Sequence, residues 1–339
     1  MMIPRTFLAL FAVASFVAIA HVGRAEDAKE PAKANEESFE RIDNVIYGRK
    51  FGMALTMDVF KPKEANGLGV IWVVSGGWFS ADEGVEMAQA FFRPVLDRGY
   101  TVFAVVHGSQ PKFTIPEILT DMHRAVRYIR HHVDDYDIDP ERIGIMGGSA
   151  GGHLSLMQGL AGTPGDEKSP DPVECESSRV QAVACFFPPT DFLNYGKPGE
   201  HAIGRGILKA FRAPFDFEQW DDQTHRFVEI EDEEKIIEIG KQISPITHVS
   251  ADDPPVYIVH GDADELVPIQ QAKLIVAKLN EVGAPAELLT RPGAGHGWGD
   301  FPKDVEKFAD WFDEHLKESY GDSDDADEES TPADASAAK

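Results

Sequence analysis

Apolar residues fall along the chain in short dense runs. Longer stretches between them carry apolar positions three and four residues apart. The runs at 55–60, 70–74, 101–106, 143–146, 180–187, 256–260 and 286–289 have the length and composition of strands. Helical spacing predicts helices at 87–97, 115–132, 151–162, 270–282 and 303–317. In the second, Ile118, Met122, Ala125, Val126 and Ile129 share one face; in the last, Val305, Phe308, Ala309 and Phe312 do. Strand runs with no polar alternation are buried on both sides. The pattern therefore predicts an α/β fold, a mostly parallel central sheet with helices on both faces. Residues 192–240 break the rhythm. They hold no clean strand, are rich in aromatic and acidic residues, and read as a cap-like helical insertion after the 180–187 strand. Insertions at the loop end of such a sheet often wall a binding site.

The ends carry a different pattern. Residues 1–25 have one early Arg5, an uncharged apolar run from 7 to 20, and small residues at Ala18, Ala20, Gly23 and Ala25. That is the layout of a signal peptide, and it predicts export to the periplasm or the exterior. The run is short for a membrane span of about 20 residues, so stable membrane insertion is not expected. Residues 26–43 read as a polar linker, 44–318 as the globular domain, and 319–339 as a disordered acidic tail. The chain has 32 Lys and Arg against 58 Asp and Glu, a net charge of −26. Such acidity, without basic clusters, speaks against nucleic acid as a partner. Export permits Cys175 and Cys185 to pair, but Cys185 lies in an apolar run and reads as a buried free thiol.

The candidate chemistry begins at "RIGIMGGSAGGHLSLM", 142–157, where glycines surround Ser149 between a strand run and a helix. A hydroxyl on so sharp a turn needs small neighbours, and Gly147 and Gly151 supply them. The helix that follows aims its N–H groups at whatever the oxygen attacks. A serine needs a base, and His296 sits in the Gly-rich loop "RPGAGHGWGDF" after the last strand. His123, His131 and His132 read as solvated helix residues, and His260 as packed. The histidine needs an acid. Asp264 reaches furthest into its loop, with Asp262 and Asp191 as alternatives. Donors for a developing oxyanion are expected at Ala150 and, after the second strand run, at Gly76 and Gly77. Trp78, Phe79 and Trp298 flank the site as candidate pocket walls. No His, Cys or Asp cluster has metal-ligand spacing, so neither metal nor cofactor is expected.

Together these segments resemble the α/β-hydrolase superfamily. Within it they resemble the esterase/lipase branch that includes bacterial feruloyl and acetyl-xylan esterase-like proteins. "LTMDVFKP", "YDIDPERIGIMGGSAGGHLS", "SPITHVSADDPPVYIVHGDADELVP" and "GAGHG" carry the likeness over about residues 46–316. It implies a serine carboxylester hydrolase with the triad Ser149, His296 and Asp264, an acyl-enzyme intermediate, and a small-molecule or polysaccharide-linked ester as substrate. A prolyl-oligopeptidase-like peptidase and a non-catalytic binding protein on the same scaffold are the alternatives. Two segments depart from the branch. Its His-Gly-Gly-Gly-Trp stretch reads Val74-Ser75-Gly76-Gly77-Trp78 here, without the histidine that supports the loop. "VVHGSQP" replaces a tyrosine-arginine pair, so His107 either lines the pocket or fills the space.

Overall fold

The computed structural model describes residues 38–317. The expected signal peptide, residues 26–37 of the linker and the acidic tail lie outside the described residues. An antiparallel pair, β1 (Phe39–Lys50) and β2 (Met53–Pro62), precedes a strand–helix alternation. That alternation runs β3 (Gly69–Val74), α1 (Glu83–Asp97), β4 (Thr101–Val106), α2 (Ile115–His131), the single turn α3 (Val133–Tyr136), β5 (Ile143–Gly148), α4 (Ala150–Leu160) and β6 (Ala182–Phe186). The excursion after β6 holds β7 (Glu218–Asp221), β8 (Arg226–Glu229) and α5 (Glu233–Gln242). Then come β9 (Val256–Gly261), α6 (Gln270–Val282), β10 (Ala286–Arg291) and α7 (Phe301–Phe312).

Eight strands form one sheet in the order β1-β2-β4-β3-β5-β6-β9-β10, antiparallel through β2 and parallel from β4 onward. Alternation along each strand divides the core in two. Val70, Trp72, Val74, Val102, Ala104 and Phe186 face α1 and α7 on one side. Ile71, Val73, Phe103, Val105, Ile145 and Ile258 face α2, α4 and α6 on the other. The predicted apolar faces of α2 and α7 are fully buried. This is the α/β-hydrolase fold. Its parallel register brings the ends of β5, β6, β9 and β10 to one edge, where ligands bind in such sheets.

Two elements differ from the sequence reading. β1 starts at Phe39, inside the expected linker. Its register shifts between Ile42 and Val45 and again between Ile46 and Gly48, which scrambles the period-two pattern that would have revealed it. The excursion is not simply helical. β7 and β8 form a hairpin in which Trp220 pairs with Phe227. Both rings are largely exposed, so no buried face announces the strands. Asp221 closes the turn by accepting from the N–H groups of Gln223 and Thr224.

Candidate active site

Ser149 stands on the bend between β5 and α4 with φ 53° and ψ −117°, outside the ordinary regions for an L residue. Its N–H donates to the Phe186 carbonyl at 2.9 Å, which ties the bend to β6. Two glycines make the bend possible. A Cβ on Gly147 would lie 2.7 Å from the Gly151 backbone, and one on Gly151 would lie 2.9 Å from the Val73 carbonyl oxygen. Neither obstacle can move aside as a side chain can. Gly147→Ala is therefore expected to lower stability by about 1–3 kcal/mol, as overpacking does. It should also cut turnover by displacing Ser149. Thermal unfolding and steady-state kinetics check the two effects.

The loop after β10 brings His296 to this bend. Its Nε2 lies 2.9 Å from Ser149 Oγ, and its Nδ1 lies 2.7 Å from Asp264 Oδ2. A carboxylate only accepts, so Nδ1 carries the proton and Nε2 accepts from the serine hydroxyl. Asp264 is fixed in turn: Oδ1 accepts the N–H groups of Leu266 and Val267, each at 2.9 Å. Burial works against its charge. The bonds from His260 and His296, with the N–H of Val267, outweigh burial and hold the carboxyl well below the usual carboxylate range. Asp262 and Asp191 are engaged elsewhere. Asp262 accepts from the Gly293 N–H, and Asp191 from the N–H groups of Leu193 and Asn194.

Sequence reasoning missed two residues that place His296. Phe187, at φ 36°, packs its ring 4.3 Å from the imidazole, centroid to centroid. Gly261 ends β9, where a Cβ would meet the Ala294 and Gly295 carbonyl oxygens at 2.2 and 2.6 Å. The histidine loop thus rests directly on the end of β9. Gly261 is visible in the sequence as a glycine closing a strand run. The backbone turn at Phe187 leaves no such sign.

The loop after β3 corrects two expectations. Gly76 and Phe79 exchange both backbone hydrogen bonds, at 2.9 and 3.0 Å, around Gly77 and Trp78 at φ 56° and 61°. That is a two-residue turn of the type I′ kind. The Gly76 N–H is thereby committed to Phe79 and is no free donor. Among the described residues nothing accepts from the N–H groups of Gly77 or Ala150. Trp78 is no pocket wall either. It is 2% exposed, packed against Phe192 and Phe215, and its Nε1–H donates to His153 Nδ1 at 3.1 Å. His153 Nε2–H donates in turn to the Ile243 carbonyl at 2.7 Å. Sequence reasoning passed over His153, whose only signal was its place two residues after Gly151.

Both ring nitrogens of His153 are matched to its neutral form, since a second N–H would face the indole N–H of Trp78. Burial pushes its pKa down to about 4, against the pull of the Ile243 carbonyl. Between about pH 4 and 6.5 the unfolded chain binds a proton there that the folded chain refuses. Stability therefore rises with pH across that window and is lost as pH falls through it, by about 3 kcal/mol for this one group. Denaturant midpoints at pH 7 and 5 should show the loss, with a shallower slope in His153→Gln.

The BD-FAE family model matches residues 57–279, well over half of the chain. The chain belongs to the BD-FAE family. The probable carboxylic ester hydrolase LipM of Mycobacterium tuberculosis is 29% identical over 242 residues, covering 70% of this chain and 52% of LipM. Esterase LipQ of the same organism is 27% identical over 233 residues, 68% of this chain and 50% of LipQ. The chain spans about half the length of these curated relatives. A solved truncated form of a carbohydrate esterase from gut microbiota superposes with a TM-score of 0.68 at 26% identity, over 85% of this chain and all of that one.

The remaining predicted residues of this BD-FAE chain divide. Phe79 is 53% exposed, on the turn beside the serine loop. Trp298 is half-buried: its Nε1–H donates to Asp304 at 2.7 Å, and its ring packs on Phe187 and Phe301. His107 is 3% exposed, so it does not line a pocket. His123 is not solvated. It faces Ser178 at 3.0 Å, and burial pushes its pKa down to about 4. His131 is exposed and His260 buried, as expected. Cys175 and Cys185 are both free, with Cys185 buried. Among the described residues no group of His, Cys, Asp and Glu is arranged to hold a metal ion, and no helix is long and apolar enough to cross a membrane. The excursion leans on the turn after β3: a Cβ on Gly77 would touch the Phe211 ring at 2.7 Å.

Proposed function

We propose that the chain hydrolyses carboxylic esters through Ser149, His296 and Asp264. The observation that carries this reading is the unbroken hydrogen-bonded line from the Ser149 hydroxyl through His296 to a pinned, ionised Asp264. The esterase names of the relatives support it. In the first step Ser149 Oγ attacks the acyl carbon while its proton passes to His296 Nε2. The carbonyl oxygen takes the negative charge and is met by the N–H groups of Gly77 and Ala150. Collapse expels the alcohol, which leaves with the proton from His296. Water then attacks the acyl-enzyme, giving its proton to His296, and the second collapse frees the carboxylic acid and restores the serine.

For the substrate we propose a small ester or an ester on a polysaccharide hydroxyl. The named carbohydrate esterase of similar fold favours the second. Export, proposed from residues 1–25, agrees with such a substrate, and the N-terminal sequence of protein recovered outside the cytoplasm tests it. The functional test combines turnover of p-nitrophenyl acetate with labelling by a fluorophosphonate. One label per chain, on the peptide containing Ser149, should abolish turnover. Cleavage of prolyl anilides with no cleavage of esters would instead make the protein a peptidase. Turnover that survives complete labelling would remove Ser149 from the reaction.

A further inference from the structure

The turn that holds Gly77 is gripped from two sides. Trp78 and His153 form one grip. The other comes from the segment after β4, where this chain departs from its resembling branch. His107 Nδ1 lies 2.8 Å from the Gly108 carbonyl, and its Nε2 lies 2.9 Å from Ser75 Oγ. A carbonyl only accepts, so Nδ1 carries the hydrogen and Nε2 accepts from the Ser75 hydroxyl. The same segment holds the turn at two further points. The His107 N–H donates to Ser80 Oγ at 3.2 Å, and Ser80 Oγ donates to the Val74 carbonyl at 2.5 Å. The Gln110 N–H donates to the Trp78 carbonyl at 3.1 Å. The segment itself is anchored below. The Gly108 N–H donates to Asp121 Oδ2 at 2.9 Å, and Lys50 Nζ donates to the same oxygen at 2.6 Å. A Cβ on Gly108 would lie 2.7 Å from both partners, so the anchor depends on that glycine.

We infer that His107 is a positioning residue for ester hydrolysis, which fixes Ser75 and through it the turn presenting the Gly77 N–H to the oxyanion. It does for this loop, from just past the end of β4, what Val74 cannot do from within it. His107 is buried and makes no contact with substrate. The inference rests on the proposed esterase reading. It adds that geometry at the donor turn, and not only the serine line, sets the rate. A donor moved off its position is worth little, because the oxyanion must be met within about 3 Å to gain from it.

The test compares Ser75→Ala, His107→Ala, the double variant and His107→Gln, whose side-chain oxygen can still accept from Ser75. Ser75 is half-exposed and its replacement removes one hydroxyl, so it tests the link even where His107→Ala fails to fold. Each single alanine is expected to lower kcat on p-nitrophenyl acetate roughly tenfold or more, a fraction of the loss from removing a donor outright. KM should stay within about twofold if only transition-state binding is lost. Affinity for a trifluoromethyl ketone, which forms a tetrahedral adduct with Ser149, should fall in parallel. The double variant should be no worse than the worse single one, and His107→Gln should recover most of the rate. Wild-type kcat in Ser75→Ala, a loss confined to KM, or additive losses in the double variant would overturn the inference. If wild-type and Ser149→Ala proteins hydrolyse the ester equally, the esterase reading itself has failed. If only Ser149→Ala is inactive and the Ser75 and His107 variants are normal, this inference alone has failed.

Discussion

Ser149→Ala is expected to lower kcat on p-nitrophenyl acetate by roughly a millionfold, the scale seen when a serine nucleophile is removed. The fold should be left intact. The Ser149 hydroxyl bonds His296 and makes no capping bond to α4, so its loss costs the helix nothing. A second substitution sharpens the expectation. At φ 53° an alanine keeps the backbone strain of serine, whereas glycine relieves it. Ser149→Gly should therefore be as inactive as Ser149→Ala yet more stable, by about 1 kcal/mol. Thermal melts of the two variants beside the wild type read this directly. Equal melting of all three would mean that the bend holds no strain to release.

Asp264→Asn should cost about 10⁴-fold in kcat, by reversing a tautomer and not by breaking the site. The two N–H groups of Leu266 and Val267 hold one oxygen of the side chain. In the amide that position must stay oxygen, so the NH₂ group is forced toward His296 Nδ1. The imidazole then accepts at Nδ1 and carries its hydrogen on Nε2, pointing at a serine hydroxyl it can no longer deprotonate. The rate left over should climb with pH as hydroxide replaces the missing base. Fluorophosphonate labelling should slow in proportion, because it needs the same proton transfer. Labelling at the wild-type rate would show that the carboxylate is not required to set the imidazole.

The parts of the site legible in the sequence are those fixed by strand ends. Ser149, Asp264 and His296 each follow an apolar run and stand among turn residues, and a parallel sheet gathers such positions at one edge. The contacts between these turns were not legible. Nothing in "SGGWF" says that the Gly76 N–H closes onto Phe79, since backbone pairing in a turn depends on φ values that sequence only loosely constrains. From sequence Trp78 reads as a pocket wall because it flanks the site. Its indole is instead buried, because His153 and two phenylalanines of the excursion, 114 and 137 residues further along the chain, close over it. β1 and the β7–β8 hairpin were hidden for a simpler reason. One is interrupted by bulges and the other buries neither of its aromatic rings, so neither displays the alternation by which strands are read.

The hydrogen bond from His153 to the Ile243 carbonyl, at the end of α5, joins the excursion between β6 and β9 to the helix that follows Ser149. Swapping the stretch between β6 and β9 for one from a relative would remove that carbonyl. It would thereby unfasten the indole beneath the donor turn unless the replacement brought a carbonyl to the same place. An engineer who replaces the excursion should therefore expect to rebuild the support of the Gly77 turn as well.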